Sequence, residues 1–228
     1  MNYAIVLSGG TGARLGLDIP KQYYEVNNKP IIRYVLDTIE KCEEVNGVVI
    51  VATSEWHEYL TKQVSASEKF LGFARPGENR QLSIYNGLCF LEKCLPVADD
   101  DLVLIQDAAR PNTSLGCILS CLSIADDADG AMPVLPMRDT VYVSEDGQMV
   151  SGLLDRKTLF AGQAPESFRF GKYLAANEAL LPDRILGING SSEPAVLAGM
   201  NIRMIAGDES NYKITTSADL RRFKKQFS

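Results

Sequence analysis

Short apolar runs alternate along the chain with segments in which apolar residues recur at helical spacing. The runs cover residues 2 to 7, 48 to 52 and 102 to 105, and the first ends in consecutive glycines, as buried strands of parallel sheets often do. Helical spacing connects Ile31 to Ile39 and, later, Leu82 to Leu95. This alternation predicts a Rossmann-like α/β fold with a mainly parallel sheet and helices on both faces. In such sheets ligands bind beyond the carboxyl ends of the strands.

Residues 138 to 158 interrupt this alternation. Two short β-type segments, 140 to 143 and 148 to 150, flank the turn-forming sequence at 145 to 147, which predicts a projecting β-hairpin arm. An arm of this kind exposes an unpaired strand edge, and a second copy of the chain would cover it most simply. We therefore expect a homodimer formed through the arm. At the other end of the chain, residues 217 to 227 predict a closing helix with Ser217 as its N-cap.

Length, charge and the amino terminus limit the possible functions. The chain has 228 residues, which a single domain spanning 1 to 228 can accommodate. No apolar run is long enough to cross a membrane, and the amino terminus lacks the pattern of a signal peptide, so we expect a cytoplasmic protein. The net charge of −6 argues against a nucleic-acid partner. Any phosphate group must therefore be bound by a few placed cations.

A glycine-rich segment directly after the first strand is the strongest chemical signal. Glycines there allow backbone N–H groups to surround a polyphosphate, and Arg14 and Lys21 add positive charge. A dinucleotide-binding fingerprint would need a glycine where Leu15 stands, and no register gives a Walker A loop. A glycine turn that only joins a strand to a helix is the remaining alternative. The residues expected to contact the phosphates are Ser8, Gly9, Gly10, Thr11 and Gly12.

Two further segments carry candidate ligands. The polar turn at 77 to 83 precedes a helix, so its free backbone donors and hydroxyls could read the edge of a base, although a plain capping turn is an alternative. Asp107 ends an apolar strand, where an unpaired carboxylate would be costly. Because Mg²⁺ takes one or two carboxylates together with phosphate oxygens, Asp107 is a natural magnesium ligand. The structural alternative is an ion pair between Asp107 and Arg110.

The segments resemble, in this order, the 2-C-methyl-D-erythritol 4-phosphate cytidylyltransferases and the related D-ribitol-5-phosphate cytidylyltransferases. The resemblance covers nearly the whole chain, and it is the ordered set of motifs that makes it specific. These motifs are the glycine loop with Pro20-Lys21-Gln22, Arg80-x-x-Ser83, Asn86-Gly87-Leu88, Asp107-Ala108-Ala109-Arg110-Pro111, Arg138-Asp139-Thr140, Gln163-x-Pro165 and Asn211-x-Lys213-Ile214-Thr215.

The resemblance implies a nucleotidyltransferase fold, a dimer built through the arm, and two substrates, CTP and a polyol phosphate. It implies that Arg14, Lys21 and Lys213 act at the reacting phosphates, that Gly77, Glu78 and Ser83 read cytosine, and that Asp107 binds Mg²⁺ and ribose. The residues that it implies for the acceptor are Arg110, Thr140, Arg156 and Thr215, of which Thr140 and Arg156 would act across the dimer.

The chain departs from the family pattern at three places, one of which concerns the acceptor. The usual Thr-Asp pair that helps to hold methylerythritol phosphate appears here as Ser191-Ser192-Glu193. The usual His before Asp107 is Gln106, and Gln-Thr-Pro-Gln appears as Gln163-Ala164-Pro165-Glu166. We therefore expect ribitol 5-phosphate or a related polyol phosphate as acceptor, which would serve surface polysaccharide synthesis. The alternative is 2-C-methyl-D-erythritol 4-phosphate, an isoprenoid precursor. A nucleotide-binding protein without catalysis is a more remote alternative.

Overall fold

The computed structural model describes residues 1–10, 19–124 and 127–227. Its strands, numbered in chain order, are β1 (Asn2–Leu7), β2 (Glu25–Val26), β3 (Lys29–Pro30), β4 (Gly47–Val51), β5 (Phe70–Ala74), β6 (Leu102–Asp107), β7 (Gly130–Pro136), β8 (Val141–Val143), β9 (Gly152–Leu154), β10 (Phe160–Gly162), β11 (Glu166–Arg169) and β12 (Ile202–Ala206). Its α-helices are α1 (Ile31–Glu40), α2 (His57–Val64), α3 (Arg80–Cys94), α4 (Leu115–Leu122), α5 (Phe170–Glu178), α6 (Glu193–Leu197) and α7 (Ser217–Lys224).

One large sheet forms the centre of the fold. Its parallel part has the order β5-β4-β1-β6, and β11 then pairs antiparallel with both β6 and β7. Strand β7 also pairs with β10 and, in parallel, with β12. The sheet is thus mixed but mainly parallel, as the alternation of apolar runs and helices predicts.

The two faces of the sheet are covered by separate apolar layers. Along β1, Ala4 and Val6 belong to the layer that contains α1, whereas Tyr3 and Ile5 belong to the layer that contains α3 and α5. This division follows from the strand geometry, because successive side chains point to opposite faces. Every residue of β4 and β6 is buried, as expected for central strands with helices on both sides.

The predicted second strand of the arm was wrong. The second strand of the arm is Gly152–Leu154, paired antiparallel with Val141–Val143, and residues 148 to 150 belong to the connecting turn. The carboxylate of Asp146 accepts hydrogen bonds from the backbone N–H groups of Gln148 and Met149, which draws these residues into the turn.

The closing helix also begins differently from the prediction. Its N-cap is Thr216, which forms a capping box with Asp219, whereas Ser217 is the first helical residue. The α-helix ends at Lys224, and a short 3-10 turn covers residues 225 to 227. None of the helices in the described ranges has both the length and the apolar character needed to cross a membrane.

Candidate active site

A cavity of about 460 Å³ lies at the carboxyl edge of the parallel strands. Leu7 at the end of β1 is in register with Val51 of β4 on one side and with Asp107 of β6 on the other, so the loops that follow these strands meet at one place. This is where parallel sheets bind ligands. The residues that line the cavity are Leu7, Gly9, Gly10, Lys21, Gln22, Pro76, Gly77, Glu78, Asn79, Arg80, Ser83, Asp107, Ala108, Ala109 and Lys213.

Asp107 is the centre of a cluster of cations on the wall of this cavity. One carboxylate oxygen accepts from Arg80 Nε and Nη2 at 3.3 and 3.2 Å, and the other contacts Lys213 Nζ at 3.0 Å and Arg110 Nε at 3.4 Å. Burial by itself would raise the pKa of Asp107, but the charges of Arg80, Lys213 and Arg110 outweigh it and hold the pKa far below the usual range. The carboxylate is therefore ionised at any physiological pH.

The ion pair of Asp107 with Arg110, which the sequence offered as the structural alternative to a magnesium ligand, is thus present together with two other cations. Three cations around one carboxylate give the cluster a net charge of +2, from +3 and −1. In a chain with a net charge of −6, this is a local concentration of positive charge facing a cavity. Such a site is suited to a polyanion.

A buried amide connects Lys213 and Arg110 to the sheet. Arg110 Nη1 donates to the backbone oxygen of Asn211 at 2.6 Å. The fully buried side chain of Asn211 donates to the oxygen of Ala164 and accepts from the hydroxyl of Thr113. Lys213, two residues after Asn211, is therefore fixed on the cavity wall although 106 positions separate it from Asp107 in the chain.

The turn at 77 to 83 is shaped by its own side chains. Ser83 Oγ accepts from Gly77 N at 2.9 Å and donates to the oxygen of Asn79 at 2.8 Å, and Asn79 caps α3 by accepting from Leu82 N. A Cβ atom at Gly77 would lie 2.5 Å from Leu82 Cβ, so only glycine fits. The predicted cytosine-reading residues Gly77, Glu78 and Ser83 therefore do line the cavity, but the Ser83 hydroxyl is already engaged in holding the turn.

Hydrogen bonds from the side chain of Gln22 hold the described part of the glycine loop. Gln22 Nε2 donates to the backbone oxygens of Ser8 at 2.7 Å and Gly10 at 2.8 Å. The Ser8 hydroxyl donates to Tyr23 Oη, so this predicted phosphate ligand is buried beneath the loop, whereas Gly9 and Gly10 line the cavity. The other predicted loop residues, Thr11, Gly12 and Arg14, lie outside the described residues.

The residues expected to bind the acceptor are not all at the cavity. Thr140 and Arg156 belong to the exposed arm, where Arg156 Nη1 donates to the oxygen of Arg138. The hydroxyl of Thr215 donates to Asp219, which anchors the start of α7. Arg110, the remaining member of this group, forms an ion pair with Asp107 on the cavity wall.

The segments that depart from the family pattern contact each other in the interior. The hydroxyl of Ser191 donates to Glu166 Oε1, and both side chains are buried. Burial raises the pKa of Glu166 above its usual value, although the hydrogen bond from Ser191 and the charges of Arg80 and Arg110 oppose the shift. Glu193 Oε2 accepts from the backbone N–H groups of Asn189 and Gly190, which closes its own loop.

Two residues of the site received no role from the sequence. Arg80 makes two of the four contacts to Asp107, and Gln22 holds the glycine loop. Both belong to motifs that carry the family resemblance, which was the available signal. Their partners lie 27 and 12 to 14 residues away in the chain, so no local pattern could identify them.

Comparison with known proteins agrees with this geometry. The family model described as 2-C-methyl-D-erythritol 4-phosphate cytidylyltransferase matches residues 2–225. A protein of that name from Geobacter metallireducens is 32% identical over 96% of this chain and 94% of its own length. A ribitol-5-phosphate cytidylyltransferase from Streptococcus agalactiae is 30% identical over 98% of this chain and 94% of its own length.

The fold is shared with solved structures. The crystal structure of the 4-diphosphocytidyl-2C-methyl-D-erythritol synthase from Anaerococcus prevotii superposes with a TM-score of 0.83 at 21% identity, covering 99% of this chain and 95% of that one. The expected fold class is thus confirmed. The chain belongs to the 2-C-methyl-D-erythritol 4-phosphate cytidylyltransferase family and is a nucleotidyltransferase.

Proposed function

We propose that this enzyme transfers a cytidylyl group from CTP to ribitol 5-phosphate or a closely related polyol phosphate and releases pyrophosphate. The observation that carries the proposal is the cationic cluster around Asp107, which faces a cavity next to a glycine loop. Lys21 lines the same cavity and adds a further positive charge. A nucleoside triphosphate would supply negative charge to these cations.

The chemical step needs placement and charge more than it needs a base. A phosphomonoester, with a second pKa near 6, is largely a dianion at neutral pH, so its oxygen can attack the α-phosphorus of CTP directly. The new bond joins the acceptor phosphate oxygen to the α-phosphorus, and the bond from the α-phosphorus to the oxygen bridging to the β-phosphorus breaks. Lys21 and Lys213, with Arg14 as the sequence predicts, stabilise the charge that develops on the phosphates.

Magnesium is the expected cofactor, and Asp107, although its oxygens already contact three cations, is the carboxylate that we expect to hold it. Asp107 and Glu78 are the carboxylates among the lining residues, and Asp107 is held in its ionised form. Mg²⁺ needs no more than one or two carboxylates when a triphosphate supplies the other oxygens. Asp107 would hold the ion, which supplies neutralising charge to the triphosphate when it is bound.

The region around Ser191 supports an acceptor other than methylerythritol phosphate. Where the family has the Thr-Asp pair, this chain has Ser191, whose hydroxyl is turned towards the buried Glu166, and Glu193, whose carboxylate caps its own loop. Neither group is left to hold a substrate. The 30% identity to a ribitol-5-phosphate cytidylyltransferase agrees with this choice of acceptor.

A second candidate acceptor is 2-C-methyl-D-erythritol 4-phosphate. It is favoured by the family model that matches residues 2–225 and by the 32% identity to a relative named for that substrate. We keep ribitol 5-phosphate first because the replaced Thr-Asp pair is the one that, in the family pattern, helps to hold methylerythritol phosphate.

The arm is the part of the proposal that involves a second chain. Exposed apolar side chains cover both of its strands and its turn: Tyr142, Met149, Val150, Leu153 and Leu154. An exposed apolar patch of this kind marks an interaction surface. A homodimer formed through the arm would cover it and would bring Thr140 and Arg156 towards the partner's cavity.

Pyrophosphate release tests this function directly. The protein is incubated with Mg²⁺ and CTP, and separately with ATP, against ribitol 5-phosphate, 2-C-methyl-D-erythritol 4-phosphate and other alditol phosphates. We expect turnover with CTP and ribitol 5-phosphate, little with ATP, and loss of turnover on chelation of the metal. Turnover with methylerythritol phosphate alone would reverse the choice of acceptor, and equal use of ATP would contradict a cytosine-reading role for residues 77 to 83.

A further inference from the structure

Gln22 is placed to control the backbone of the glycine loop. Its side chain is buried, with 3% of the residue exposed, yet it reaches the floor of the cavity. The amide nitrogen donates to the oxygens of Ser8 and Gly10 at 2.7 and 2.8 Å. An amide NH₂ group has two N–H donors, so both are used on this loop.

The carbonyl groups of Ser8 and Gly10 belong to the segment that borders the cavity. Gly9 and Gly10 line this cavity together with Lys21 and Lys213. Peptide oxygens carry partial negative charge, and oxygens left free there would repel a triphosphate. Tyr23 Oη also donates to the oxygen of Ser8, at 3.1 Å, but Gln22 is the partner recorded for the Gly10 oxygen among the described residues.

The short turn that contains Gln22 is held against the core by the next residue, Tyr23. Residues 21 to 23 form a 3-10 turn, and the ring of Tyr23 stacks on Trp56 with 4.3 Å between the ring centroids. Tyr59 contacts the same ring edge-on. The turn therefore fixes Lys21 and the amide of Gln22 as one unit against the core, and the amide transmits that position to the loop.

We infer that Gln22 is a positioning residue for the nucleoside triphosphate, acting by fixing the Ser8 and Gly10 carbonyl groups of the glycine loop. This inference rests on the proposed binding of CTP in the cavity. It assigns to Gln22 no contact with the reacting atoms. The effect of its loss should therefore appear in the binding of CTP, with little effect on the binding of the acceptor.

Two substitutions test this role. Gln22→Ala removes both donors and should weaken the binding of Mg²⁺–CTP, measured by calorimetry, about tenfold, since the Gly10 carbonyl loses the hydrogen bond from Gln22 and the Ser8 carbonyl keeps only that from Tyr23. Gln22→Glu keeps the shape but turns an oxygen towards two oxygens, so binding should weaken on the order of a hundredfold. In the pyrophosphate assay with ribitol 5-phosphate, the KM for CTP should rise and the KM for the acceptor should stay near its wild-type value.

A pH dependence separates positioning from mere structural support. The carboxyl group of Gln22→Glu, buried against two carbonyl groups, favours its protonated form, which can donate one hydrogen bond. We compare the dissociation constant of Gln22→Glu for CTP with that of the wild type. The ratio of the two should therefore decrease as the pH is lowered from about 8 to about 6. Gln22→Ala should show no such recovery. The matched control Gln226→Glu, at an exposed position in the last turn, should bind CTP as the wild type does.

The outcomes are distinct. Equal CTP affinity in Gln22→Glu and the wild type would overturn the inference, as would a lower melting temperature with an unchanged KM for CTP in the folded fraction. If the wild type itself binds no CTP, the proposed function falls, and this inference falls with it. If the wild type binds CTP and only Gln22→Ala and Gln22→Glu lose affinity, with acid recovery in the latter, the inference holds.

Discussion

Replacing Asp107 with asparagine keeps the shape of the side chain and removes the charge that balances three cations. Asp107 is 6% exposed, and its two oxygens contact Arg80, Lys213 and Arg110. In the variant these cations repel one another without a counter-charge. The substitution should therefore lower the stability of the free protein.

The magnitude follows from the burial of the partners. Breaking a buried ion pair by removing one partner costs about 3–5 kcal/mol. Here the side chains of Arg80 and Lys213 are 30% and 34% exposed, so solvent screens part of the effect and we expect about 2–3 kcal/mol. For a chain of this length, about 2–4 °C is lost per kcal/mol, so the melting temperature should fall by about 4–12 °C.

The pH dependence has a definite sign. Although burial opposes it, the pKa of Asp107 in the folded state is held below the value of about 3.9 in the unfolded chain by Arg80, Lys213 and Arg110. Its stabilising contribution is therefore complete above that value and is lost as pH falls through the folded-state pKa. The difference in stability between wild type and Asp107→Asn should be constant from about pH 5 to about pH 8 and should narrow below about pH 4.

Differential scanning calorimetry with and without Mg²⁺–CTP measures both effects. Because Asp107 is the expected ligand of Mg²⁺, the variant should bind Mg²⁺–CTP more weakly, so the nucleotide should raise the melting temperature of Asp107→Asn less than that of the wild type, and turnover should be lost. Glu58→Gln, which removes an exposed carboxylate paired with Lys62, is the control and should leave the melting temperature unchanged. An Asp107→Asn protein as stable as the wild type at neutral pH would refute the charge-balance reasoning.

Three other predictions concern separate parts of the molecule. Lys213→Ala should lower kcat at saturating CTP by a factor on the order of 10² to 10³ in the pyrophosphate assay. Near wild-type turnover would show that Lys213 does not stabilise the transition state. Gly77→Ala should cost about 1–3 kcal/mol in urea denaturation because its Cβ would meet Leu82, whereas Gly190→Ala, with open space around it, should cost little. Leu153→Asp, at a position 64% exposed on the arm, should shift the protein from dimer to monomer in sedimentation velocity, and an unchanged sedimentation coefficient would contradict the arm interface.

Where local patterns carry the information, the sequence predicted the structure well. Strand β1 and helix α1 follow from apolar spacing alone, and the loops after β1 and β6 could be placed at one edge because parallel strands end together. The arm shows the limit of this reasoning. The β-type segment at 148 to 150 predicted the second strand, but Gln148 and Met149 donate to Asp146 within the turn, and the second strand is Gly152–Leu154.

The sequence by itself determined the family, the alternation of strands and helices in the first half of the chain, and which residue types come after β1 and β6, because each of these depends on neighbours in the chain. The tertiary structure decided which charges meet Asp107 besides the neighbouring Arg110. Arg80 and Lys213 stand 27 and 106 positions from Asp107, and only the packing of α3 and of the segment before α7 against the end of β6 brings them to one carboxylate. The charge balance of the site, and the turning of Ser191 towards Glu166, therefore depend on contacts that no spacing in the chain records.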